Sequence, residues 1–240
     1  MCTVSWTHQN GGYHLLCNRD EKRTRGTAFA RAVFLRGGVC YIAPVDSDCG
    51  GTWLTANELG LSVCLLNGEA ERRQAAPLLS RGLLLKELAW SESSAECRLR
   101  VRHLDLRTYA AFTLLVLEPG NPATVAQWDG ADLTIDADAD SRMPLTSSSF
   151  DAAGAREYRM REFARLVGSR EHIDPAHLYW FHSDHGASPG AYSPCMHRDD
   201  AETVSFSWVV VTRDEIRFLY SPAPPCRSIA SEQKILTRAA

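Results

Sequence analysis

The second residue of the chain is a cysteine, in the opening run Met1-Cys2-Thr3-Val4-Ser5-Trp6. If the initiator methionine is removed, Cys2 carries a thiol and a free α-amine on one residue. The unperturbed amine titrates near ~7.7–8 and the thiol near ~8.5, so the amine can serve as base to its own nucleophile. A small thiol at position 2 is also the kind of side chain that packs in a core. Asn18-Arg19-Asp20-Glu21 places three charged residues side by side. A carboxylate there can hold an ammonium or orient an attacking thiol; otherwise the run is a solvated strand end. Gly50-Gly51-Thr52-Trp53-Leu54 joins glycines that allow close backbone approach to a tryptophan that walls a pocket or fills the core. Asn67 ends an apolar run and precedes Gly68; its amide can donate to an oxyanion, or cap a turn. His182-Ser183-Asp184-His185, with Cys195-Met196-His197 further on, offers zinc-ligand types. An HxxH pair with a distant CxH is not a standard structural-site spacing, so no metal and no other cofactor is expected.

These groups need elements to hold them. Cys2, Val4 and Trp6 alternate with Thr3, Ser5 and Thr7, the period of a half-buried strand. Asn10-Gly11-Gly12 signals a tight turn, and residues 13–18 continue as a second strand. This hairpin brings Cys2 beside Asn18-Arg19-Asp20. Residues 39–43, 52–56 and 61–66 read as further strands, with connections too short for parallel crossovers. From 71 to about 91 the apolar positions take helical spacing. Residues 94–101 read as a second helix or, from alternating Arg98, Arg100 and Arg102, as a strand edge. Strands follow over 111–117, 124–128 and 133–135, then an acidic loop at 137–140 with calcium as a minor alternative. A helix over 151–168 is capped by Asp151 and Gly168, with Tyr158, Phe163, Leu166 and Val167 on one face. A short helix at 175–181 and a hairpin of 204–212 with 215–220 complete the elements; the last ten residues should run along the surface. This is one α+β layered domain spanning 1–240.

With 240 residues, 45% hydrophobic and 23% charged, the composition is that of a soluble globular protein. The formal net charge of -3 suggests no nucleic-acid partner, no apolar run reaches membrane-span length, and the first residues do not resemble a signal sequence. A cytoplasmic protein with reduced thiols is the expectation, and a homodimer the default if it self-associates.

Taken together and in order, Met1-Cys2, Leu15-Leu16-Cys17-Asn18-Arg19-Asp20-Glu21, Gly50-Gly51-Thr52-Trp53-Leu54, Asn57-Glu58-Leu59-Gly60-Leu61 and Leu65-Leu66-Asn67 resemble the NRDE family, also called the transport and Golgi organisation 2 family. By that resemblance it sits among the N-terminal-nucleophile hydrolases, near choloylglycine hydrolases, penicillin V acylases and acyl-CoA:isopenicillin N acyltransferases. The later Asp184-His185, Cys195-Met196-His197, Thr203-Val204-Ser205 and Pro224-Pro225-Cys226 are more similar to the acyltransferase branch. The resemblance implies a four-layer αββα sandwich and attack by Cys2 on a small amide, giving an acyl-enzyme resolved by water or another amine. Asp20 then matches the residue that holds the amine and Asn67 the residue at the oxyanion hole, with Arg19 and Asn18 completing the catalytic set. Substrate contacts are expected from Thr52, Trp53, Gly68, Ser148, His185 and His197, with Trp6, Phe150 and Tyr192 as further wall candidates. The acylases keep an arginine three positions before the aspartate, where this chain has Cys17; the strand pleat is expected to turn Arg19 in another direction. Where they place a second oxyanion asparagine, this chain offers Ser147-Ser148-Ser149. The alternative function is a non-catalytic lipid or haem carrier on the same fold, with Cys2, His8, His14 or the 182–197 stretch as iron ligands.

Overall fold

The opening hairpin forms as its alternation requires. In the computed structural model, which describes residues 2–69, 79–168, 173–227 and 232–239, Cys2–Gln9 (β1) pairs antiparallel with Gly12–Lys22 (β2). Gly11, at φ 83°, makes the left-handed turn between them. Cys2, Val4 and Trp6 stand opposite Arg19, Cys17 and Leu15, so these six share one face. Thr3, Ser5 and Thr7, opposite Asn18, Leu16 and His14, share the other.

Two antiparallel sheets grow from this pattern. The first has the order β10-β1-β2-β11-β12-β13. It adds Leu145–Ser147 (β10), Ala201–Val211 (β11), Glu215–Ser221 (β12) and Glu232–Thr237 (β13) to the hairpin. The second runs β3 to β9 in chain order. Its strands are Phe29–Arg36, Val39–Val45, Leu54–Asn57, Ser62–Asn67, Phe112–Leu117, Thr124–Trp128 and Leu133–Asp136. The sheets face each other across Cys2, Val4, Trp6, Leu15 and Cys17 on one side and Ile42, Leu54, Cys64, Leu66 and Leu115 on the other. The opposite face of the second sheet, through Val63, Leu65, Leu114 and Val116, packs on Arg81–Leu88 (α1) and Ser94–His103 (α2). The outer face of the first sheet carries Ala152–Val167 (α3) and Pro175–Ser183 (α4), with Phe163 edge-on to Phe181. The result is the expected αββα sandwich.

The differences from the sequence expectation have local causes. The 94–101 segment is helical because Ser93 caps it, its side chain accepting from Glu96 N–H, and Arg100 pairs with Glu96 at 2.6 Å one turn earlier. The alternating arginines are a polar helix face. The helix expected from 71 begins at Arg81; residues 70–78 lie outside the described part. In α3 the buried set is Ala155, Arg159, Glu162, Phe163 and Val167 rather than one including Tyr158, so two charged residues lie on the core face. The last residues do run along the surface, and they do so as the edge strand β13 paired to β12. In the acidic loop, Asp140 Oδ1 accepts from Trp6 Nε1 at 2.7 Å and lies 2.9 Å from His8 Nε2. β3 and β10 escaped the sequence pattern because the first is an edge strand with exposed Phe29, Val33 and Leu35, and the second has only three residues.

Leu15 is fully buried between the sheets. Its replacement by alanine is expected to lower the unfolding free energy by about 2–5 kcal/mol in urea titration; a change below about 1 kcal/mol would show that the two sheets do not share this core.

Candidate active site

Register decides what surrounds Cys2. It is paired on one side with Arg19 and on the other with Ser147, and its main-chain nitrogen lies 3.0 Å from Ser147 Oγ. Its side chain is on the inter-sheet face, 6% exposed, where the sandwich opens into a cleft of about 380 Å³. Arg19, Thr52, Trp53 and Asn67 line the same cleft. Gly68, Ser147 and Ser148 line an adjoining depression of about 500 Å³ that shares Asn67 and Arg81 with it. Both volumes fall within the range of small-molecule pockets.

The expectation for Arg19 is corrected. Positions 17 and 19 are two apart on one strand and therefore share a face. Cys17 lies deeper between the sheets, and Arg19 reaches the cleft wall. There its guanidinium is 2.6 Å from Asp46 and 4.2 Å above the Trp53 ring. Arg25 binds the same carboxylate through Nε and Nη2, both at 3.0 Å. Burial works to raise the Asp46 pKa, but Arg25, the Cys49 N–H and Arg19 together hold it below the ordinary carboxylate value. Asp46, Arg25 and Arg81 were not marked from sequence. Asp46, Arg25 and Arg81 lie in no local motif and reach the cleft only through the fold.

Asn18 is not in the cleft. By the same parity it points to the helical side, fully buried, and donates to the carbonyls of His182 and Pro194 at 2.8 and 2.9 Å. Asp20 also lies on that side, where Thr203 Oγ1 donates to it at 2.6 Å and Arg159 Nη2 stands 3.5 Å away. A bulge in β11 between Thr203 and Ser205 sets Thr203 opposite Asp20. Arg159 is wholly buried, donating also to Thr3 Oγ1 and Thr146 Oγ1 at 2.8 Å each and to the Tyr192 carbonyl. The one sequence sign of Arg159 was its place four residues before Phe163, on a face read as apolar. Asp20 remains close enough for its charge to act on Cys2: the hydrogen bond to Cys17 and burial push the Cys2 thiol well above its ordinary pKa, and Asp20 adds to that. Cys17 and Cys64 sulfurs are 3.9 Å apart, continuing a row of thiols inward.

His185 and His197 do not line the cleft. They gather with Cys195 and Cys226 near the end of β12, held there by the loop that follows α4. Trp6 is a core residue, and Phe150 and Tyr192 pack on each other at the surface. Of the alternative iron ligands, those of the 182–197 stretch stand in that cluster, while His8 and His14 lie apart from Cys2 and from it. His8 is six residues from Cys2 along β1, about 20 Å at strand rise, and His14 accepts from Trp208 Nε1 at 3.0 Å.

Solved structures that resemble the whole chain share this architecture. A mutant of the conjugated bile acid hydrolase from Clostridium perfringens superposes with TM-score 0.57 at 11% identity, covering 100% of this chain and 97% of its own. Penicillin V acylase from Agrobacterium tumefaciens gives 0.57 at 11%, covering 99% and 86%. The Caenorhabditis elegans N-acylethanolamine-hydrolyzing acid amidase ortholog gives 0.57 at 13%, covering 87% and 92%. The fold is therefore that of the N-terminal-nucleophile hydrolases. No curated protein matches the chain in sequence. The family model for Transport and Golgi organisation 2 matches residues 1–152, well over half the chain, and the protein belongs to that family.

Two outcomes follow from the buried network behind Cys2. Replacing Arg159 by methionine strands the Asp20 carboxylate without its cation and should cost about 3–5 kcal/mol in denaturant unfolding; a loss under about 1 kcal/mol would mean the pair is not buried as described. His182, 2.8 Å from Ser5 Oγ, is fully buried, and burial, aided by the Arg159 charge, pulls its pKa down to about 3. Its neutral form contributes stability present above the unfolded value of about 6.5 and lost as the pH falls toward 3. Between pH 7 and 5 the wild type should lose about 2 kcal/mol more than His182→Gln; equal losses in urea titrations at the two pH values would contradict the assignment.

Proposed function

We propose that the chain is an N-terminal cysteine amidohydrolase or acyltransferase, acting on a small amide or acyl substrate through Cys2 once Met1 has been removed. The observation that carries this is the shared cleft of Cys2 and Asn67, with the Asp20 charge felt from behind the strand. The resting thiol is held protonated by burial and Cys17, so it needs a base within contact distance. In the processed chain the α-amine of Cys2 is that base, placed near Ser147 Oγ and favoured as an ammonium by Asp20.

The amine takes the Sγ proton, and the thiolate forms a bond to the amide carbonyl carbon. The carbonyl electron pair moves to oxygen, where the Asn67 side-chain amide donates a hydrogen bond, with the Gly68 N–H or the Ser148 hydroxyl as a second donor. The ammonium returns its proton to the leaving nitrogen, the C–N bond breaks, and a thioester remains on Cys2. Water resolves it to a carboxylic acid, or an acceptor amine to a new amide. Either path restores the thiol. Thr52 and Trp53, with Arg19 fixed against Trp53 by Asp46, form the wall against which the acyl part lies.

Peptide mapping of the purified protein should find Cys2 at the N-terminus. Under limiting iodoacetamide, Cys2 in that form should react well ahead of Cys2 in a chain that retains Met1; retained methionine, or equal rates in the two forms, would overturn the reading. In pre-steady-state assays with a chromogenic acyl ester, Asn67→Ala should slow acylation by ~10²–10³. An unchanged rate would remove Asn67 from the oxyanion site.

A further inference from the structure

Away from the cleft, four side chains from three separate stretches of chain meet. His185 lies in the turn after α4, Cys195 and His197 in the segment that leads into β11, and Cys226 beyond the end of β12. One ligand-type atom from each falls within 4.8 Å of the others. His197 Nε2 is 3.7 Å from Cys195 Sγ and 3.3 Å from Cys226 Sγ, and the two imidazole rings stand 5.0 Å apart at 55°. A tetrahedral zinc ion bound to two sulfurs and two nitrogens sets its ligand atoms roughly 3.3–3.8 Å apart. The cluster needs only a small contraction to reach that geometry.

Two further features suit a metal. His185 Nε2 is buried and has no hydrogen-bond partner, a costly state for a polar atom unless something accepts its lone pair. His197 Nδ1 faces Glu202 Oε2 at 3.6 Å; a carboxylate there keeps the proton on Nδ1 and turns the Nε2 lone pair toward the cluster, as outer carboxylates do at histidine metal sites. The sequence spacing hid this set because its fourth ligand, Cys226, lies 29 residues beyond His197 and is brought back only by the β11–β12 hairpin.

We propose that His185, Cys195, His197 and Cys226 form a structural zinc site. Binding displaces the protons of the two thiols to solvent and leaves two thiolates and two neutral imidazoles on the ion, with no open position for substrate. The site fastens the 184–197 loop to the end of β12. That loop supplies the Pro194 carbonyl to Asn18 and the Met196 N–H to Thr203 Oγ1, whose hydroxyl proton goes to Asp20. The metal thus stiffens the packing behind the nucleophile strand. This proposal stands apart from the assignment of Cys2, since none of the four ligands lines the cleft.

The test is the metal content of full-length protein after zinc supplementation and removal of loosely held ions by gel filtration. Elemental analysis should find about one zinc per chain, and cobalt substitution should give the intense visible bands of a tetrahedral thiolate site. Cys195→Ser and His185→Ala should each lose the metal, as should Cys226→Ser, which alters an exposed residue and leaves the core packing in place. Metal far below one per chain would overturn the proposal. So would zinc retained in all three variants, or a Cys195–Cys226 disulfide seen by mass in unreduced protein.

Discussion

The pairing of β1 between β2 and β10 is the constraint on which the site depends. Because side chains alternate along a strand, this register alone places Cys2 on the inter-sheet face beside Arg19 and Ser147 and sends Thr3, Asn18 and Asp20 to the helical face. A slip of one residue would exchange the two sets, burying the thiol under α3 and opening the threonines to the cleft. The register is secured by apolar side chains on both faces. Val4, Trp6, Leu15 and Cys17 pack toward the second sheet, and Leu16 is fully buried in the same core, where Phe206 lies against His182 of α4. Tyr13 adds a polar tie, its hydroxyl lying 2.7 Å from Ser62 Oγ and 2.8 Å from the Gly60 carbonyl of the facing sheet.

The two faces of the strand carry different electrostatics. On the cleft side, Arg19, Arg25 and Asp46 form a partly solvated group against Trp53, where charges can meet a polar ligand at modest cost. On the helical side, Arg159 and Asp20 are wholly buried and draw in Thr3, Thr146, Thr203 and the Tyr192 carbonyl. Buried charges repay their desolvation only when almost every donor and acceptor is used, and this network is densely bonded. It ties α3 to β1, β2 and β10, and β2 to β11, behind the strand that carries Cys2.

Much of this was legible in the sequence because it depends on local periodicity. The β1–β2 hairpin, the glycine-led strand that starts at Leu54, the apolar strand ending in Asn67 and the capped helix ending at Gly168 each follow from residues adjacent in the chain. The family motifs fall on those elements. What escaped was non-local. Ser147 reaches Cys2 through a strand too short to show a pattern, and Arg159 acts from a helix face read as apolar. Cys226 joins the histidines only through a hairpin. Arg19 faces the cleft for a simpler reason: a two-residue shift along a strand keeps the side chain on the same face. Asn18 shares the family motif and the hairpin with Arg19, but the pleat sends it to the other face, opposite Thr3.

In the proposed reaction Cys2 carries the acyl group. Incubation of the processed protein with an activated acyl ester, followed by denaturation and peptide mapping, tests this most directly. A thioester on an N-terminal cysteine lies next to a free amine, and on denaturation the acyl group passes from sulfur to nitrogen, leaving a hydroxylamine-resistant amide. One acyl group per chain is expected, found as that amide on Cys2 and absent from Cys2→Ser handled in the same way. Acylation confined to the exposed Cys49 or Cys226, or to lysines, with Cys2 unmodified, would contradict it.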